Sequence, residues 1–172
     1  MAPMYAGSQP QMFAEYNRWM NEKLYAVAAQ LSDEQRKQDR GAFFESIHAS
    51  LEHILRVDTL WLTRFRGEPV VAATGGGLMY PDFDALRVAR VARDQQLSDW
   101  TATLASDWLA APYSWTSVAG ARFTMPGFAV VSQIFNHQTH HRGQITTLLT
   151  QLGLDVGVTD LPMLPALGAL SS

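Results

Sequence analysis

Residues 134–153 read IFNHQTHHRGQITTLLTQLG. Ile134, His137, His141, Ile145 and Leu148 recur at spacings of three and four, the repeat of one helix face. Gly153 ends the pattern, as glycine does at helix C-termini. His137 and His141 therefore stand one turn apart on an apolar stripe. Their neighbour His140 has Asn136 four before it and Gln144 four after it, so it reads as more peripheral. Residues 43–65, FFESIHASLEHILRVDTLWLTRF, hold the other two histidines, His48 and His53.

Helical patterns run through and around these windows. In the first helix, about residues 8–31, Phe13, Tyr16, Met20, Leu24, Val27 and Leu31 form one stripe, with Asn17 and Asn21 beside it. Ser32-Asp33 ends it. The second spans about residues 41–66, with Ile47, Leu51, Ile54, Leu55, Leu62 and Phe65 inward, and stops at Gly67-Glu68-Pro69. Ala72 to Gly77 read as a plain loop. The three glycines lack the Gly-Lys-Ser/Thr and the leading strand of a phosphate site. The third helix starts near Pro81-Asp82, with Asp82 or Asp84 as its cap, and runs to about residue 110 through Leu86, Ala89, Leu97, Trp100, Leu104 and Trp108. Pro112 to Pro126, rich in aromatic and β-branched residues, reads as a short hairpin around Ala119-Gly120. The fourth helix covers about residues 128–152. The tail, with Pro162 and Pro165, is extended or in short turns. No repeat and no linker divides the chain. The expected architecture is all-α: one domain, residues 1–172, an up-down four-helix bundle with a hairpin between its third and fourth helices.

Bulk properties narrow the function. A length of 172 residues suits one core, and 47% hydrophobic content suits a globular chain. A net charge of −3 offers no electrostatic footprint for nucleic acid. No apolar run approaches the roughly 18 residues that cross a membrane. The N-terminal MAPMYAGSQPQMF lacks the basic and apolar segments of a secretory signal. With no cysteine there is no disulfide, no thiolate ligand and no thiol nucleophile, and the expected location is the cytoplasm.

The histidines carry the chemistry. His53 is followed at four and eight by Val57 and Trp61, so it faces the core. His48 has Glu45 three before it and Glu52 four after it, which reads as a solvated face. His53, His137 and His141 are therefore the expected metal ligands, with His48 and His140 in reserve. A single core histidine is usually a hydrogen-bonded structural residue. A pair on one apolar face needs several polar partners, and one shared ion satisfies both rings.

His137-Gln138-Thr139-His140-His141 has the spacing of a zinc-peptidase HExxH helix, but glutamine replaces the glutamate base. That reaction is disfavoured. Three neutral imidazoles leave an ion's charge uncompensated, which lowers the pKa of a bound water or thiol. Zinc or nickel suits an all-nitrogen site better than magnesium or calcium. Gln133, Asn136 and Gln144 either orient the rings or are simply solvated. No residue stands out as a general base, so no catalytic residue is assigned. Other polar positions take plainer readings. Arg142 reads as a helix-surface ion pair rather than an anion holder. Arg87, Arg90 and Arg93 read as a solvated face. Asp58 bonds a nearby group without a catalytic role. Gly143 marks the close approach of another helix. Trp61, Trp100 and Trp108 are core or interface.

HILRVDTLWL at 53–62, taken with HQTHHRGQ at 137–144, resembles the DinB-like family of metalloproteins. EYNRWMNEKLYAVAAQLS at 15–32 and GVTDLPMLP at 157–165 are also similar to that family, so the resemblance spans nearly the whole chain. It implies a four-helix bundle, often a homodimer, with a metal held by His53, His137 and His141. Related proteins include transferases and isomerases in which a metal activates a low-molecular-weight thiol. Two functions follow as expectations. One is an enzyme that delivers an external thiol, or water, to a small electrophile such as an epoxide, an activated alkene or a halide. The other is a non-catalytic metal binder, for example in a stress response.

Overall fold

A computed structural model describes residues 5–70 and 77–168 of the chain. The first helix, α1 (Gln9–Ala28), begins where Gln11 reaches back to the Ser8 amide at 2.7 Å and Pro10 pre-sets the first turn. A short α2 (Asp33–Lys37) follows. Ser32 caps it reciprocally with Gln35, at 3.2 and 2.8 Å. The helix expected from residue 41 starts later, as α3 (Ile47–Phe65). Ser46 Oγ accepts the Ala49 amide at 3.1 Å and sets that start. Residues 40–46 instead form a tight turn. Gly41 has φ +67° and Glu45 +61°, the left-handed region that a helix cannot use.

The third long helix, α4 (Phe83–Ala102), starts where Asp82, one of the two expected caps, accepts the Ala85 amide at 2.7 Å. It does not continue to residue 110. The chain breaks at Thr103–Ala105 and re-forms as α5 (Ser106–Ala110). The break has a packing reason. Eight residues of straight helix rise about 12 Å. The Trp100 and Trp108 rings meet at 6.1 Å, which requires the chain to fold back between them.

The predicted hairpin is present as β1 (Pro112–Thr116) and β2 (Arg122–Pro126), antiparallel, with Tyr113 opposite Met125 and Trp115 opposite Phe123. Then α6 (Gly127–Thr150) carries the histidine window, and Gly153 leaves the helix end at φ +77°. Two single 3-10 turns, Leu161–Met163 and Pro165–Leu167, make up the tail. The Tyr16 hydroxyl and the Lys23 ammonium, both on α1, donate to the carbonyls of Thr159 and Val158 and hold it down. Of the predicted glycine loop, residues 72–76 lie outside the described residues.

The fold is mostly helical with one small two-stranded sheet, the expected class. Among the long helices, α1 packs against α4 and α6, and α3 packs against the same two. Leu24, Ile47, Leu51, Ile54, Leu86, Ile145 and Leu149 fill the main core. A separate aromatic cluster joins Trp61, Phe65, Trp100, Tyr113 and Trp115 beneath the hairpin, so these rings are packing material, as expected.

Between the two lies a buried polar layer that the helical periodicity did not predict. Asp58 of α3 pairs with Arg90 of α4 at 2.5 Å, and Arg90 also meets Asp94 at 2.8 Å. Asn17 and Asn21 of α1 donate to Asp94, each at 3.0 Å. Arg142 of α6 donates to Asn17 and, at 3.1 Å, to Thr139. All four long helices contribute. Arg90 is therefore not on a solvated face, and Arg142 is not a surface ion pair. Burial lowers the Arg142 pKa to about 10. Gly143 is also corrected. A Cβ there meets nothing within 4 Å among the described residues, so no neighbouring helix requires the glycine.

Candidate metal centre

The α3 periodicity that buries Ile54 and Leu55 turns His53 toward α6. The α6 periodicity that buries Ile134 and Ile145 turns His137 and His141 toward α3. The three rings meet. Ring centroids lie 5.1 Å apart for His53 and His137, 4.6 Å for His53 and His141, and 4.4 Å for His137 and His141. One nitrogen from each lies within 4.8 Å of the others. His53 Nε2 and His137 Nε2 are 3.1 Å apart. Nitrogens about 2.0–2.1 Å from a tetrahedral zinc sit roughly 3.3 Å from each other, close to the His53–His137 spacing.

The electrostatics suit a cation-free donor set. Burial lowers the pKa of His53 to about 4, helped by the charges that His141, His137 and Arg56 would place beside it. Burial also lowers His137 to about 4, with His141 and His140 adding repulsion. Both imidazoles are thus neutral at pH 7, the form that ligates metal. Gln144 Oε1 lies 2.8 Å from His141 Nδ1. An amide oxygen only accepts, so the His141 proton sits on Nδ1 and Nε2 keeps its lone pair for the centre. The Gln144 amide nitrogen lies 3.2 Å from Nε2 of exposed His140. Gln133 and Asn136, the other two expected orienting residues, are exposed helix positions.

The reserve histidines stay outside the cluster. His140 is peripheral, as its neighbours implied. His48 is not on a solvated face: it is 0% exposed, with Nε2 2.7 Å from the Tyr80 carbonyl. Its companion Glu52 is buried too, accepting the Met79 and Tyr80 amides at 3.0 and 2.9 Å. The charge-rich face predicted for solvent instead anchors the segment that leads into α4. Backbone donors far along the chain supply what water would have supplied.

Two contacts beside the centre escaped the sequence reading. Phe44 stacks on His53 with centroids 3.8 Å apart and 22° between planes, and meets His141 edge-on at 5.4 Å. Gly41 followed by a serine cap at Ser46 was the available signal that Phe43 and Phe44 precede the helix. Gln138, between the ligand-spaced pair, is buried and donates to Asp58 Oδ1 at 2.7 Å. The position that holds the base in a zinc peptidase here ties α6 to α3.

A mostly helical protein with three imidazoles brought together from two helices is the class that this fold and site define. The DinB family model matches residues 4–167, and the chain belongs to that family. It is similar to Protein DinB of Bacillus subtilis (strain 168), at 24% identity over 162 residues, covering 85% of this chain and 87% of that protein. The crystal structure of a DinB-like protein from Bacillus cereus ATCC 10987 aligns with a TM-score of 0.53 at 22% identity, over 81% of this chain and 90% of that one. That likeness supports the fold.

Proposed function

We propose that His53, His137 and His141 bind one divalent ion, zinc or nickel, and that the protein is a metalloenzyme of the thiol S-transferase kind. The observation that carries this reading is the convergence of three ring nitrogens within 4.8 Å. A four-ligand closed site is the usual structural zinc, whereas three ligands leave room for an exogenous molecule. A divalent ion held there lowers the pKa of a thiol or water at its open position.

The chain's own residues do the rest. Gln144 holds the His141 tautomer, and the Gln138–Asp58 bond ties the two ligand-bearing helices. With no cysteine in the chain, the thiol comes from outside. It releases its proton to solvent, its sulfur forms a C–S bond to a small electrophile, and either a halide leaves with the bonding pair or an epoxide C–O bond breaks and its oxygen takes a proton from solvent. The whole chain, residues 1–172, acts as one domain in this reading, a cytoplasmic homodimer working on small molecules rather than nucleic acid. The exposed Phe123 and Val118 of the hairpin region are apolar surface suited to a partner copy.

Elemental analysis of the purified protein tests the ligand set: one equivalent of metal in the wild type, and loss of it in each single histidine-to-alanine variant. Thiol consumption with glutathione-type thiols and halogenated acceptors tests the reaction. A rate no higher than that of the His53→Ala, His137→Ala double variant overturns it. Metal binding without catalysis is the second reading, favoured by Phe44 lying over His53. Melting with and without a chelator separates them. Collapse of the metal-free fold supports a structural ion, and a stable metal-free fold supports chemistry or sensing.

A further inference from the structure

Phe43 is 84% exposed, beside the three-histidine centre rather than on a random surface. Its ring meets Phe44 edge-on at 4.8 Å, and Phe44 in turn lies flat on His53 at 3.8 Å. A continuous aromatic surface therefore runs from solvent to a ligand ring.

The turn that carries these rings is held in place. Arg40 N–H donates to the Glu45 carbonyl at 2.8 Å, and Glu45 N–H to the Ala42 carbonyl at 2.8 Å. Glu45 sits at φ +61°, the one non-glycine residue with positive φ among the described residues. Such backbone persists where its surroundings over-determine it, and it gathers at binding sites. Here it stops α3 from starting early and lays Phe44 over the imidazoles, with Phe43 outside it in solvent.

We propose that the Phe43–Phe44 turn is the substrate-binding wall of this centre, and that the small molecule it takes carries a flat apolar ring. This rests on the reading of the three histidines as a metal site. Offset or edge-on aromatic packing gives the wall its preference, because ring edges and faces carry opposite partial charge. An aliphatic or strongly hydrated molecule gains none of this.

The test uses the full-length protein loaded with cobalt(II), titrated with benzyl mercaptan and with 2-mercaptoethanol, and read by the sulfur-to-metal absorption band. Wild type is expected to prefer benzyl mercaptan by about tenfold, the upper end for one aromatic pair. Phe43→Ser and Phe44→Leu are each expected to cut that preference by at least about threefold. Phe43→Ser changes an exposed residue, and an unaltered cobalt spectrum without thiol shows that its centre is intact. Equal preference in wild type and both variants overturns the wall alone. A wild type that takes up no cobalt overturns the metal reading and this inference with it, and one that takes up cobalt but shows no band with either thiol overturns the thiol reading and this inference with it.

Discussion

Replacing Arg90 with methionine isolates the energetics of the buried polar layer. Arg90 is 2% exposed, Asp58 0% and Asp94 3%, so solvent does not screen the trio. Methionine fills most of the volume, which leaves electrostatics as the main loss. Asp58 keeps the Gln138 donor, and Asp94 keeps Asn17 and Asn21, but neither keeps a cation within ion-pair distance. Removing one partner of a buried pair costs about 3–5 kcal/mol. For a domain of this size, each kcal/mol lowers Tm by roughly 2–4 °C, so a fall of about 10 °C is expected. The loss also has a pH signature. Burial already raises the Asp94 pKa to about 6 and pushes Asp58 upward, while Arg90 opposes both shifts. Without Arg90 both carboxyls rise further. The folded variant then holds protons that the unfolded chain has released above about pH 4. Its deficit relative to wild type therefore widens from pH 5 to pH 8. Urea unfolding of both proteins at pH 5, 6.5 and 8, followed by circular dichroism, measures this. A deficit below about 1 kcal/mol at pH 7, well short of the cost of breaking a buried pair, refutes the reasoning. So does a deficit of equal size at pH 5 and pH 8.

Three other outcomes are expected. Gln144→Ala weakens metal affinity about 10- to 100-fold, the usual loss for a group that orients a ligand, while Gln144→Glu retains an acceptor and most of the affinity; competition with a chromophoric chelator reads both. Protons do not compete at His53 and His137 until pH falls toward about 4, so affinity losing about two decades per pH unit between 7 and 5.5 contradicts their lowered pKa values. Gly143→Ala stabilises the protein by up to about 1 kcal/mol in thermal or urea melts, because helix propensity improves and the new methyl meets nothing.

Periodicity carried much of the reading. The stripes around His53, His137 and His141 settled which way those side chains turn, because a helix face is a local property repeating every 3.6 residues. Asp82, the Pro112–Pro126 hairpin and Gly153 were legible for the same reason: caps and turns use residues close in sequence. Phe44 was missed, because the chain leaves helical geometry at Gly41 and Glu45 while the apolar pattern continues through them.

Local sequence thus determined where the four long helices lie, though not the start of α3 or the end of α4, along with their apolar faces and the histidines that could converge. Tertiary structure alone decided which polar groups are buried. Arg90 and His48 sit among residues that local rules assign to water. Their partners, Asp58 and the Tyr80 carbonyl, each lie 32 residues away along the chain. A charge goes inside only when another helix brings a matching atom to it, and no short window of sequence records that meeting.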